Sequence, residues 1–300
     1  DVKIPSSTGF GSMMVNSGHI TNEGLELTGK FYVLQNTPLK WNIDANISCN
    51  RNRIGGLKAD QFAQKLWSSA DEVFIQRNGC PIGAIYGYVE DGFYDNLAEV
   101  MASPSADIRA KGAGMIGEIK YRNFDDNPDI TSADRVIIGD TNPDFVYGLT
   151  SNFEWKGVTL SFFLQGSQGN DIFNGNLMDM KMGNVGNITH EAYNTRWTEA
   201  NAAQAKWPKA VSGYERNMLI SNRYVEDGSY LKLKSLNIGY VWKPNFKGIS
   251  NVNVYASATN LFTITGYSWF DPEVNAFGSD ASRRGVDVYS YPSSRTFSLG

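Results

Sequence analysis

Leu39-Lys40-Trp41-Asn42-Ile43-Asp44-Ala45-Asn46-Ile47-Ser48-Cys49 is the stretch that decides the fold. Side chains of an extended chain alternate between two faces, so Trp41, Ile43, Ala45, Ile47 and Cys49 share one face. Asn42, Asp44, Asn46, Ser48 and then Asn50 share the other. One such strand means only a half-buried sheet. A series of them, joined alternately by very short and very long connections, predicts a barrel wall with lipid outside and water or protein within.

The pattern extends in both directions. From Asn22 to Leu34 the apolar face carries Leu25, Leu27, Phe31 and Val33, against Glu26, Thr28, Lys30 and Tyr32, and Asn36-Thr37-Pro38 reverses the chain. After Asn52 comes a long polar connection, whose middle, from Lys58 to Arg77, could contain a short helix. Phe145, Tyr147, Leu149, Phe153 and Trp155 form the outward set of the next strand. Lys156-Gly157 makes a tight hairpin into a strand bearing Val158, Leu160, Phe162 and Leu164. A loop of about 60 residues, Asn170 to Gly228, suits a membrane barrel better than a compact soluble domain.

Tyr230 to Trp242 changes its apolar phase between Leu231-Leu233 and Leu236-Ile238-Tyr240, which predicts a bulge near Lys234. A turn containing Pro244 and Gly248 leads to Val252, Val254, Ala256 and Ala258, and another loop leads to Arg295–Gly300, with Phe297 and Leu299 in phase. These are seven wall strands, and Pro81 to Tyr121 either adds a pair or folds within an outer loop. Seven is odd and too few to close such a wall. The expectation is an all-β, antiparallel transmembrane β-barrel, residues 1–300 being the C-terminal portion of a larger chain.

Composition agrees. The 300 residues include 30 glycines, 15 tyrosines, 16 phenylalanines and 7 tryptophans, a bias toward strands and turns. No stretch reaches the roughly 18 apolar residues of a spanning helix, which a barrel does not need. A net charge of −4 without a basic stripe gives no basis for nucleic-acid binding. Cys49 and Cys80 are too few for a disulfide scaffold, and both a bridge and two unlinked thiols stay open. His19 and His190 stand apart and read as ordinary loop residues.

Outer-membrane barrels keep their short turns at the periplasm and their long loops outside. That rule puts Asn36–Pro38, Lys156-Gly157 and Pro244–Gly248 at the periplasm. Trp41, Trp155 and Trp242 lie beside these turns in the outward phase, where an inner aromatic girdle belongs.

Asn260-Leu261-Phe262-Thr263-Ile264-Thr265-Gly266-Tyr267, followed by Phe270-Asp271-Pro272-Glu273-Val274, resembles a signature of the SusC/RagA-like TonB-dependent outer-membrane transporters of the Bacteroidetes. Tyr291-Pro292-Ser293-Ser294-Arg295-Thr296-Phe297 is similar to that family's approach to its last strand. Further similar segments are Asn16–Gly18 with Asn22–Leu27, Asn50–Ile54, Pro81–Gly92, Gly139–Gly148, Gly166–Asn174, Arg196–Thr198 and Asp227–Lys234. The resemblance implies a barrel of about 22 strands in the intact protein, with an N-terminal plug and further strands that this chain lacks. It also implies a SusD-like lipoprotein partner, TonB acting through an upstream segment, and import of glycans or peptides.

One stretch has metal-ligand spacing. Asn123, Asp125, Asn127, Asp129, Thr131 and Asp134 fall at positions 1, 3, 5, 7, 9 and 12 of an EF-hand-like loop, whose oxygens could wrap calcium. Pro128 stands where a glycine normally permits the sharp turn, and Asp134 where a bidentate Glu is usual. The alternative is a solvated turn ordered by Asx hydrogen bonds. Trp67, Tyr193, Trp197, Trp207, Tyr214 and Trp269 could line a sugar path or pack the loops. The pairs Asp71-Glu72 and Asp125-Asp126 are sequence neighbours that tend to point apart, so no enzyme is expected. A soluble glycan-binding β-sandwich and a passive porin are the competing functions.

Overall fold

The computed structural model describes residues 2–3, 12–13, 18–65, 72–182, 187–211, 215–245 and 248–300. Seven strands form the main path of one eight-stranded antiparallel sheet, each pairing with its neighbour along the chain. They are β1 (His19–Leu34), β2 (Leu39–Gly55), β3 (Phe145–Trp155), β4 (Val158–Gln168), β5 (Tyr230–Trp242), β6 (Val252–Thr259) and β7 (Thr296–Leu299). The short turns therefore gather at one end and the three long loops at the other. Lys156 and Gly157 have φ of 48° and 87°, the doubly positive pair of a type I′ hairpin turn.

Register aligns the apolar face from strand to strand. One row runs Phe31, Ile43, Ser151, Phe162, Leu236, Ala258 and Phe297, and another runs Leu34, Trp41, Phe153, Leu160, Ile238, Ala256 and Leu299. This face is uncovered: Trp155 is 50% exposed, Ile238 48% and Val254 57%, although each lies on an interior strand. A sandwich would bury them under a second sheet, and among the described residues none stacks there. The sandwich alternative is thereby corrected.

The phase change on β5 is a bulge at Lys234, where Phe163 pairs with Ser235 but Leu164 with Leu233. The bulge returns Leu231 and Leu233 to the apolar face of Leu236 and Ile238. Across from it β6 is interrupted at Asn260 (φ 51°) and resumes as Thr263–Thr265 alongside Tyr230–Lys232. The sequence places a loop directly after Ala258. The three residues Thr263–Thr265, two of one sense and one of the other, were too few to show an alternation.

Most apolar burial lies in the loops. Phe74, Ile85, Tyr88, Phe173, Trp197, Trp207, Tyr224 and Val286, drawn from all three long connections, form one core. Around it a four-stranded sheet is ordered Val136–Asp140, Ala84–Gly87, Glu72–Gln76, Gln61–Lys65. The helix expected within Lys58–Arg77 is thus replaced by two strands, with residues 66–71 outside the described set. Val73-Phe74-Ile75 is buried on both faces, and a short continuous apolar run carries no period to distinguish strand from helix. Among the described residues Glu90–Phe93 pairs with Ile119–Tyr121 alone, and the Pro81–Tyr121 region adds no strand to the wall. His19 opens β1 and His190 opens the helix His190–Thr195, so neither is a loop residue. Cys49 and Cys80 are both free thiols.

Candidate functional site: the polar wall face and its loop clamp

The face opposite the apolar rows is polar and internally bonded. In one row Tyr32, Asn42, Asn152, Ser161, Asn237 and Ser257 stand side by side. Ser161 donates to Asn152 at 2.6 Å, Asn42 donates to Asp44 at 3.3 Å, and Lys40 pairs with Glu154 at 3.1 Å. Lys30 lies 3.5 Å from Asp44. Phe163 departs from the pattern by placing an aromatic ring on this face between Thr150 and Ser235. Gly148 makes room for it, since a Cβ there would lie 3.2 Å from the Phe163 ring.

Near the loop end the polar face carries a buried charge cluster. Lys232 is 1% exposed, and its ammonium donates to Asp271 at 2.8 Å and to Glu273. Lys234 donates to Glu273 at 2.7 Å and the Tyr230 hydroxyl donates at 3.1 Å. The bulge matters here, because it lets Lys232 and Lys234 reach one carboxylate while Ser235 keeps the polar phase. Asp271 also accepts from the backbone N–H of Glu273 and of Ser293. Burial opposes charge on Asp271, yet the bonds from Lys232, Glu273 and Ser293 outweigh it and hold its pKa at about 2. Glu273 is likewise lowered: burial opposes ionisation and the two lysines overcome it. The clamp pins residues 271–273 over the polar face, and beside it a hollow of about 340 Å³ is lined by Gln165, Asn170, Tyr230, Glu273 and Arg284.

The loop tryptophans divide by role. Trp197 and Trp207 are core residues, linked by the Trp197 N–H donating to the Trp207 carbonyl at 2.7 Å, and the Trp197 indole donates to Asp95. Tyr193 is exposed beneath the Arg196 guanidinium, and Trp269 meets Phe270 edge-on at 5.2 Å. Trp67, Asp71 and Tyr214 lie outside the described residues.

At the calcium-spaced loop, Asn123, Asp125 and Asn127 each accept from the backbone N–H two residues on, at 2.9–3.1 Å. Asp129 accepts from Ser105 at 2.5 Å. Asp134 is fully buried, with one oxygen on the Phe124 N–H and the other on the Thr131 N–H. Both of its oxygens thus serve the backbone. Among the described residues no three His, Cys, Asp or Glu side chains converge on a cation position. These bonds fit the Asx-ordered turn.

Comparison with known proteins gives a consistent result. The chain is 33% identical over 99% of its length to TonB-dependent receptor P3 of Formosa agariphila. It is 27% identical over its whole length to TonB-dependent receptor SusC of Bacteroides thetaiotaomicron. This chain belongs to the SusC/RagA-like TonB-dependent receptors. It spans about 30% of the length of P3 and 28% of SusC. No family model matches it. The fold is similar to that of the RagAB peptide importer in its open-open state, with TM-score 0.74 and 22% identity, covering 100% of this chain and 30% of that one. Similarity to the closed-closed state gives a TM-score of 0.71.

As a SusC/RagA-like chain it is an outer-membrane protein, and its wall fits a C-terminal portion of the family's β-barrel. The Phe270–Val274 signature acquires a physical role as the clamp on β5. Lys232-Leu233-Lys234 and Asp271-Pro272-Glu273 are both visible in the sequence, but nothing local joins them. Their opposite charges and unbroken spacing of two were the available signal.

Proposed function

We propose that this chain forms part of the wall, the polar inner face and the outer loops of an energy-coupled importer of oligomeric polar nutrients, glycans or peptides. Its partners are a SusD-like lipoprotein over the loop end and TonB acting through a plug encoded upstream. The reading rests chiefly on one observation: the sheet has an exposed apolar face and a polar face in register across its strands, the arrangement of a wall between lipid and an aqueous path. The name of SusC and the peptide import of RagAB support it by similarity.

Uptake of a fluorescent oligosaccharide or oligopeptide by cells with and without the full-length receptor tests this. Uptake is expected to need the receptor, to stop when a protonophore removes the energy supply, and to fall when the SusD-like lipoprotein is deleted. Uptake that persists with protonophore would replace the importer with the passive porin.

A further inference from the structure

The apolar rows of the wall end at a definite height. On β2 the outward phase runs Leu39, Trp41, Ile43, Ala45, Ile47 and Cys49, and then becomes Arg51 and Arg53. About ten residues at about 3.3 Å each, tilted by about 40°, rise about 25 Å, the height of the apolar band of an outer-membrane barrel. Arg51 stands about 5 Å above that band and Arg53 about 10 Å above it, at headgroup level. Both side chains are exposed, and among the described residues neither makes an ion pair or a side-chain hydrogen bond.

We propose that Arg51 and Arg53 bind the phosphate of an anionic lipid of the outer leaflet. The inference rests on the outer-membrane reading and on short turns facing the periplasm. Two guanidiniums two residues apart on one strand face present parallel forks, which suit phosphate oxygens better than point charges do. A hollow of about 310 Å³ beside them, bordered by Gly79, Pro81 and Asp144, leaves space for a headgroup. Glu23 opposes Arg51 across the strand pair and Thr21 opposes Arg53. Glu23 is the carboxylate that competes for this site, together with Asp144 and with Asp140, which also borders the hollow and already accepts from the backbone and amide of Asn142.

The test uses the full-length receptor in phosphatidylcholine nanodiscs doped with monophosphoryl lipid A, counting retained lipid by native mass spectrometry. Wild type should retain the phosphorylated lipid, R51A/R53A should retain it roughly tenfold less, R51K/R53K should fall between, and Glu23→Gln should raise retention. Heat-modifiable migration controls for folding of each variant. Equal retention by wild type and R51A/R53A would overturn the proposal, as would displacement of the lipid by inorganic phosphate. Failure of the wild type to enter the discs would instead remove the membrane reading beneath it.

Discussion

The Lys232 ammonium lies 2.8 Å from Asp271 Oδ1 across 39 residues of chain, and it is buried on a face that otherwise meets water. A buried lysine is tolerated only when paired and hydrogen-bonded. Here two carboxylates from the loop signature supply the pairing. The loop is therefore held to the wall by charge, where the apolar core of the outer loops is held by burial.

Removing both partners should cost less than the two single removals added together. Asp271→Asn leaves the buried ammonium with Glu273 alone and is expected to destabilise the folded barrel by about 3 kcal/mol. Lys232→Met combined with Asp271→Asn should cost less than the two single changes added together, with a coupling of about 1–3 kcal/mol. Denaturant unfolding of the full-length receptor in vesicles measures each. Additive costs would show that the pair is not a unit.

Acid should release the same clamp. The Asp271 pKa is held at about 2, below the usual aspartate value of about 3.9. A depressed carboxylate stabilises the fold above its unfolded pKa, and that contribution disappears as pH falls through the folded pKa. About 2 kcal/mol should therefore be present above about pH 5 and lost by about pH 2. The melting-temperature gap between wild type and Asp271→Asn should close over this window, and a gap constant from pH 5 to pH 2 would contradict the assignment.

Adjacent residues on one strand should respond in opposite ways to charge. Leu149 lies near mid-height in the apolar rows and pairs with Ala45 and Leu164, whereas Thr150 lies on the polar face beside Asp44. Leu149→Lys is expected to cost about 2–4 kcal/mol in lipid vesicles, and Thr150→Lys close to nothing. Equal costs would mean that water bathes both faces.

Gly166 supports an aromatic ring on the apolar face. Tyr147 pairs with it, and a Cβ on Gly166 would lie 2.2 Å from the Tyr147 ring. Gly166→Val should push the ring off its seat and cost about 1–3 kcal/mol through overpacking, while Gly248→Ala, with no atom within 4 Å of its Cβ, should be limited to backbone strain. Tyrosine quenching alongside unfolding midpoints separates these effects.

The wall was legible because lipid and water impose a period of two, which β2 obeys from Leu39 to Cys49 and β4 obeys except at Phe163. The loops were not. Val73-Phe74-Ile75 is buried on both sides and shows no period, and its partner Ala84–Gly87 is fixed by tertiary contact. Thr263–Thr265 was hidden by its brevity, and Phe163 by lying on a face whose other residues are polar. The clamp escaped because the bulge at Lys234 and the loop at Asp271 are remote in sequence, and their meeting depends on how the third long connection folds back.

The Asn123–Asp134 loop yields a final prediction that divides its two readings. In an Asx-ordered turn, stability resides in Asp134, which caps the Phe124 and Thr131 N–H groups from a fully buried position. Asp134→Ala should then cost about 2–4 kcal/mol, since the Phe124 and Thr131 N–H groups both lose their acceptor. A calcium site would behave differently: a cation present at about 100 times its Kd stabilises by about 2.7 kcal/mol, and Asp125→Asn with Asp129→Asn would abolish that gain. The hydrogen bonds already spent on the backbone lead us to expect equal melting temperatures in chelator and in millimolar calcium, with Asp134→Ala destabilising in both. A calcium-dependent rise that is lost in the Asp125/Asp129 variant would reverse this expectation and establish the loop as a cation site.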